Sequence, residues 1–405
     1  MSAEAPRQAA PVSVTALALI LAALAMIGPF TIDTYLPSFP YIGADLQATP
    51  AQMQQTLSLY LFTLAFMTLF HGTLSDSFGR RPVILASLAL YVLTAIGCAL
   101  ATSLPQLLFW RAVQGLAAGA GIIVGRAIIR DSFSGHEAQR LMSLVTMIFG
   151  VAPAIAPVIG GWLQDWFGWR TIFWFLAGYG VVLFFAAARR LPETHPLAAR
   201  QPFRARPLLR NYLRLGSDPK LVLLCVTIAF NFSGFFLYVV SAPAVIYDLL
   251  GMSGKDFAWL FVPGISGVMF GAFLSGRLAE RLSPRRTVSV GYLIMACAVV
   301  FNIAYCLIFP PALPWTVLPV MIYTIGMALA MPSVSLIALD LFPKLRGMTS
   351  SLQGFAHSLF AGITAGVVSP LLSHSALTLA CGMGGAALLG GLAWGLYLRV
   401  AGSTR

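Results

Sequence analysis

The chain has 405 residues, 59% of them hydrophobic and only 9% charged, and its 25 Lys and Arg against 13 Asp and Glu leave a formal net charge of +12. Soluble domains carry roughly 25% charged residues, so a soluble globular fold is excluded and an all-α membrane protein is expected. Nor does the basic surplus indicate nucleic acid, because it is dispersed among the connections between apolar runs instead of gathered in one patch.

Twelve runs stay apolar over about 20 residues, enough to cross ~30 Å of hydrocarbon as helix. They lie near 13–38, 52–72, 82–102, 105–129, 139–163, 169–190, 220–243, 256–278, 287–309, 314–339, 348–372 and 375–398. The first is uncharged from Val12 to Phe30. That is longer than the roughly 7 to 15 residues of a signal-peptide core, and no small-residue cleavage site follows before Asp33, so it is expected to remain as the first spanning helix. With the N-terminus inside and the spans alternating, Arg170 and Lys255 fall in outer loops and Arg111 within a span, which leaves 22 of the 25 basic residues on the inner side. This positive-inside bias predicts cytoplasmic termini and anionic inner-leaflet lipid as a partner. The five Cys and five His show no paired or ligand-like spacing, so no disulfide, metal or cofactor is expected.

The second and third spans are joined by the string GTLSDSFGRRP, Gly72 to Pro82. Gly72 and Gly79 permit a tight turn and close helix approach, Asp76 can cap or pair, and Arg80 and Arg81 can reach Asp131 at the end of the fourth span. Within that fourth span, Arg111, Gln114, Gly115 and Ala118 share one helical face, and Gly115/Gly119 and Gly121/Gly125 are spaced for close backbone packing. The fifth span reads GVAPAIAPVIGGWL, with Pro153, Pro157, Gly160 and Gly161 on a small-residue stretch.

These strings resemble motifs of the major facilitator superfamily. Gly72 to Arg81 is similar to its G-x-L-x-D-x-x-G-R-R/K signature, with Ser77 where many members carry a basic residue. The likeness implies a gating loop of Gly72, Asp76, Gly79, Arg80, Arg81 and Asp131 that latches the two bundles in the outward-facing state. Arg111 followed by Gln114-Gly115 is similar to a motif linked with proton coupling. The fifth span resembles the antiporter motif ending G-P-x-x-G-G, with Ala156 in place of a glycine, and that likeness implies export. The strings DTYLPSFP and TLSLYLFTLAF, which hold Tyr35 and Tyr60, look like the Bcr/CflA drug-resistance branch of the drug:proton antiporters.

After the sixth span the rhythm of short loops breaks. Residues 191–219 are polar and Pro-rich, with Arg200, Arg204, Arg206, Arg210 and Arg214. This segment is read as a cytoplasmic linker between six-helix bundles at 1–190 and 220–405. A weak repeat supports the division: Gly72-Thr-Leu-Ser-Asp76 before Arg80-Arg81 recurs as Gly276-Arg-Leu-Ala-Glu280 before Arg285-Arg286, and Asp131-Ser-Phe133 recurs as Asp340-Leu-Phe342. None of Lys220, Lys255 and Lys344 is followed by Ser or Thr, so the chain holds no phosphate-binding G-x-x-x-x-G-K-[ST] loop and no ATP-driven mechanism of its own.

Of the thirteen acids, Asp33 alone falls inside a span. An ionised carboxylate there costs roughly 3 kcal/mol or more, so Asp33 needs a watery cavity, a partner or a proton. Arg111 is the one opposite charge at similar depth, both about 10 Å below the outer surface at ~1.5 Å per residue. Either a static ion pair or a proton and substrate switch fits. The approximate repeat sets Val239 opposite Asp33 and Val320 opposite Arg111, so the ionic chemistry belongs to the first half, while Asn231, Phe235, Phe236, Tyr238 and Gln353 offer mostly aromatic contacts from the second. Apolar pockets with a few polar anchors suit amphipathic ligands. The expectation is a non-enzymatic, monomeric, multi-pass protein of a bacterial inner membrane, with Asp33, Tyr35, Tyr60 and Gln114 as substrate contacts in the first half. It would exchange protons for a small amphipathic drug or metabolite; a proton-coupled nutrient or metabolite transporter of the same fold is the alternative.

Overall fold

The computed structural model describes residues 14–200, 202–279 and 281–402, and Glu280, which the repeat matches to Asp76, lies outside them. The described residues hold eleven helices long and apolar enough to span a membrane, and twelve when one bent pair counts as a single span. We number the spans α1 (Val14–Asp33), α2 (Pro50–Thr68), α3 (Arg80–Ala99), α4 (Leu104–Ala118, running on as Ala120–Ser132), α5 (Gly135–Phe167) and α6 (Arg170–Arg190). The second half holds α7 (Pro219–Val240), α8 (Ala258–Leu278), α9 (Pro284–Ile308), α10 (Leu318–Leu341), α11 (Arg346–Ile363) and α12 (Ala376–Gly402). Three of these helices start at a capping residue followed by proline: Thr49-Pro50, Asp218-Pro219 and Ser283-Pro284. In each the cap's oxygen accepts a backbone N–H of the first turn, and proline occupies the position whose own N–H would have no partner.

Packing divides the spans into two sets. In the first half α1 packs on α5, α2 on α4 and α3 on α6; in the second, α7 packs on α12, α8 on α10 and α9 on α10. Among the described residues, the spans that pack most extensively across the halves are α2 with α11 and α5 with α8. The bent span is α2, which turns by 49° before a second helix, His71–Phe78.

That second helix changes the reading of Gly72 to Pro82. Most of the expected loop is helical, and only Gly79, at φ +100°, makes a turn. This backbone region suits glycine alone among common residues, and a β-carbon there would also collide with the side chains of Arg200 and Glu193. Gly72 lies inside the helix facing open space, so neither a turn nor a close approach depends on it. The linker differs too: it contains an amphipathic helix, Ala205–Gly216, laid against α7 and α11.

One end of the interface between the halves is closed. Gln54 donates to the Val240 carbonyl at 2.6 Å, Ser58 to the Gly362 carbonyl at 2.7 Å, and Tyr247 to the Pro37 carbonyl at 2.9 Å. Lys255 and Asp165 add an ion pair at 3.6 Å. With the N-terminus inside, as the charge bias predicts, the alternation of spans makes this the outer end.

Candidate functional site

Close approach of α4 to α2 builds the centre of the first half. Gly115 has no side chain, and the backbone of Tyr60 and the Thr63 hydroxyl occupy the space a β-carbon would need. The face expected from spacing, Arg111, Gln114, Gly115 and Ala118, is buried along its whole length. Arg111 is fully enclosed, at 0% exposure. Its Nη1 donates to Gln114 Oε1 at 2.7 Å and more weakly to the Thr31 carbonyl at 3.4 Å. Its guanidinium carbon lies 4.7 Å from the centre of the Tyr35 ring and 4.6 Å from that of Tyr60. Nε and Nη2 have no hydrogen-bond partner. The cation is thus held by an amide, a carbonyl and two ring faces, all of them neutral.

Asp33 ends α1, 4% exposed, two residues beyond the carbonyl that Arg111 reaches. The two charges therefore stand at the same level, as their sequence positions predict. Among the described residues no ion pair joins them. In this arrangement the Tyr35 and Tyr60 rings, not a carboxylate, lie against the Arg111 guanidinium. Thr31 and Thr34 hold the end of α1 by returning hydroxyls to the carbonyls of Ile27 and Phe30. Tyr91 of α3 shares a 2.7 Å hydrogen bond with Thr31, and Tyr35 shares one of 2.9 Å with Thr56. Asp33, Tyr35, Tyr60, Arg111 and Gln114 thus lie on α1, α2, α4 and the turn that follows α1.

The residues expected from the second half are less united. Phe236 stacks on Phe232 with 5.1 Å between centroids, and Phe235 packs over Gly264 of α8. Tyr238 accepts from Asn302 of α9 at 2.8 Å, and Gln353 accepts from Ser335 of α10 at 2.6 Å, so both serve packing within their own half. Asn231 is buried with neither side-chain atom hydrogen-bonded. Sequence reasoning missed His357, whose ring centre lies 4.1 Å from that of Phe232. The scattered histidines offered no spacing from which to find it.

At the opposite end from the closure, Arg80 donates to Asp76, to Ser75 at 2.7 Å and to Asp131 at 3.0 Å. Its reach to Asp131 matches the expectation. Arg81 donates to the Ala188 carbonyl. The residue missed here is Glu193: one carboxylate oxygen accepts the N–H of Arg80 at 3.0 Å and of His195 at 2.9 Å, and the other that of Arg81 at 3.3 Å. Arg200 lies 3.6 Å from it. A negative group thus caps the free N–H groups at the start of α3, where the helix dipole favours it.

In α5, Pro153 and Pro157 sit within an unbroken helix. Gly160 meets the backbone of Thr34 in α1's own half, and Gly161 meets the backbone of Gly254, ahead of α8, in the other. Adjacent glycines therefore face different halves.

A family model described as Major Facilitator Superfamily matches residues 18–366. The chain is 30% identical over 380 residues to a bicyclomycin resistance protein homolog of Haemophilus influenzae, covering 93% of this chain and 94% of that one. It is 28% identical over 356 residues to multidrug resistance protein D of Escherichia coli, covering 88% and 89%. Its fold is similar to a bacterial homolog of the human lysosomal transporter Spinster in an inward-facing, occupied conformation, at a TM-score of 0.71, 19% identity and 96% coverage of each chain.

Proposed function

Because the chain belongs to the Major Facilitator Superfamily, we propose that it exports small amphipathic drugs across a bacterial inner membrane in exchange for protons, by alternating access of its two six-helix bundles. The bundles are residues 1–190 and 220–405, both termini and the 191–219 linker face the cytoplasm, the working unit is a monomer, and anionic lipid surrounds the inner face. The names of the two relatives support the drug cargo. The observation that carries the coupling is Asp33: a buried carboxyl with no hydrogen-bond partner among the described residues, at the level of a cation held only by neutral groups. Burying a charge is costly unless it is paired. A site whose acid and cation can meet in one state and part in another can therefore take up a proton in one and release it in the other.

In the cycle, substrate enters from the inside and settles between the Asp33 centre and the aromatic surface of Phe232, Phe235 and Phe236. The bundles rock, the outer contacts part, and a proton arriving from outside at Asp33 releases the substrate. Gly72, Asp76, Gly79, Arg80, Arg81 and Asp131 form the inner gate, while Pro153, Pro157, Gly160 and Gly161 shape the helix on which the outer one closes.

The test is drug-dependent proton release from respiring inverted vesicles, with bicyclomycin and lipophilic cations as probes. Wild type releases protons on drug addition; Asp33→Asn inserts normally and releases none. Unchanged release in the variant refutes the role of Asp33. Proton movement of the opposite sign, accompanying the probe, replaces antiport with symport.

A further inference from the structure

The linker helix Ala205–Gly216 has three faces. Leu208 and Leu215 are buried and Tyr212 is half-buried against the protein. Tyr212 donates to the Leu69 carbonyl at the inner end of α2, at 2.8 Å, and lies beside Ser351 of α11. Burial lifts its phenol above the ordinary pKa, so it remains a neutral donor. The next face is apolar and uncovered, with Leu209 at 61% and Leu213 at 62% exposure. The third carries Arg206, Arg210 and Arg214, one per turn, which with Pro207 and Asn211 line a single open recess.

These arginines are unusually free. Among the described residues none of the three takes part in an ion pair or a side-chain hydrogen bond. The helix contains no acidic residue, and the nearby Asp218 is engaged as the cap of α7, accepting the Leu221 N–H at 2.9 Å. Uncovered leucines beside a row of cations match a leaflet boundary, where hydrocarbon lies on one side and anionic headgroups on the other. Three guanidinium groups around a recess supply the forked donors that phosphate oxygens accept.

We propose that the linker helix binds an anionic phospholipid of the inner leaflet, Leu209 and Leu213 entering its acyl region while Arg206, Arg210 and Arg214 hold its phosphate in the recess they line. The inference rests on the proposed cytoplasmic placement of the linker and not on the identity of the cargo. Because Tyr212 joins the same helix to the inner end of α2 and to α11, which cross between the bundles, bound lipid bears on the inner gate.

The experiment uses the full chain in nanodiscs of phosphatidylcholine alone or mixed with phosphatidylglycerol, followed by native mass spectrometry of retained lipid. Wild type retains phosphatidylglycerol. The triple variant R206Q/R210Q/R214Q, altered only at exposed positions and checked by an unchanged melting temperature, retains it roughly 100-fold less, as expected for three surface cations acting together. The matching Arg→Lys triple keeps the charge and recovers most of the binding. Leu209→Ser with Leu213→Ser lowers retention while leaving every arginine in place. Equal retention by wild type and the Gln triple overturns the proposal, as does displacement of the lipid by inorganic phosphate, which would make the recess a site for free anions. Drug-dependent proton release, measured in the same preparations, separates the two readings. Loss of retention without exchange in any lipid leaves the lipid site standing and refutes antiport, whereas exchange with retention unaltered by the Gln triple does the reverse.

Discussion

Replacing Gly161 by alanine and, separately, Gly160 by alanine should have different consequences, although the residues are neighbours with equally little room. A β-carbon at Gly161 meets the backbone of Gly254 in the opposite bundle, and one at Gly160 meets the backbone of Thr34 in the same bundle. Backbone cannot rotate away as a side chain can, so each change overpacks its contact at a cost of about 1 to 3 kcal/mol. For Gly161→Ala that cost falls only on the outer-closed state, because the contact disappears when the bundles part there. It displaces the equilibrium towards outer opening by roughly 5- to 150-fold. This competes with the closure itself, whose three hydrogen bonds from Gln54, Ser58 and Tyr247 contribute about 0.5 to 1.5 kcal/mol each, and whose partly exposed Lys255–Asp165 pair adds at most ~1 kcal/mol. Gly160→Ala burdens both states alike, lowering stability without moving the equilibrium. Spin labels on Ala51→Cys and Asp248→Cys, exposed on the two bundles at the closed end, report the separation in a background with Cys297, Cys306 and Cys381 replaced. The expected result is a longer distance population in Gly161→Ala and an unchanged distribution, with a lower melting temperature, in Gly160→Ala. The same distribution in both variants refutes the assignment of the two glycines to different interfaces.

Arg111→Lys keeps the charge but loses the planar group seated between the Tyr35 and Tyr60 rings and hydrogen-bonded to Gln114; it should abolish drug-dependent proton release while membrane insertion persists, as judged by the vesicle assay and surface labelling. Glu193→Ala leaves three backbone N–H groups without their acceptor and should lower stability by about 1 to 3 kcal/mol, read as a fall in melting temperature, with Glu193→Gln recovering part because its amide oxygen still accepts. Gly79→Ala forces a side chain into φ +100° against Glu193 and Arg200 and should cost about 1 to 3 kcal/mol as well. For transport of an uncharged drug by wild type, one proton driven through ~150 mV supplies about 3.5 kcal/mol, enough for a drug gradient of roughly 300-fold; a steady-state gradient far above this in proteoliposomes with an imposed potential would exclude a one-proton exchange.

The span count, and the presence of two charges within the spans, were legible because membrane burial leaves a blunt signal. Charge is expelled from hydrocarbon, so Asp33 and Arg111 stood out against uncharged surroundings, and their depth followed from residue counting along two antiparallel helices. What surrounds Arg111 was not legible. Tyr35 and Tyr60 could be named as contacts but not as the rings beside Arg111, since that depends on how α2, α4 and the turn after α1 rotate against one another. The inner network shows the same limit. Arg80 and Asp131 were paired from their positions at adjacent helix ends, but Glu193 lies 113 residues from Arg80, and nothing local marks an acid in a polar linker as the cap of a distant helix. The Gly72 to Pro82 string was read as a loop because glycines and polar residues usually make one. The helix His71–Phe78 forms instead because it continues α2 after its bend and ends at Gly79, whose φ is positive.

The crossing helices show how the duplicated architecture can move at low cost. α5 and α11 are the fifth spans of their halves, and each presents glycine to the opposite bundle: Gly161 meets Gly254, while Gly362 of α11 and Gly366, in the turn Thr364–Val368 that continues it, meet Phe62 and Ser58 of α2. Only the α5 pair resembled a motif; the α11 pair occupies the equivalent helix without one. A glycine contributes no side chain to such a contact, so the helices can part or slide with fewer interlocked side chains to separate, and at Gly161 the contact is with backbone alone. The ionic centre is different. It belongs to the first half alone, built from Asp33 and Arg111, while the second half supplies Phe232, Phe236 and His357. In the proposed cycle, sliding surfaces in both halves would let the bundles rock alike while the first half holds the proton chemistry, and substrate contacts on the aromatic half would vary without disturbing the group assigned the coupling.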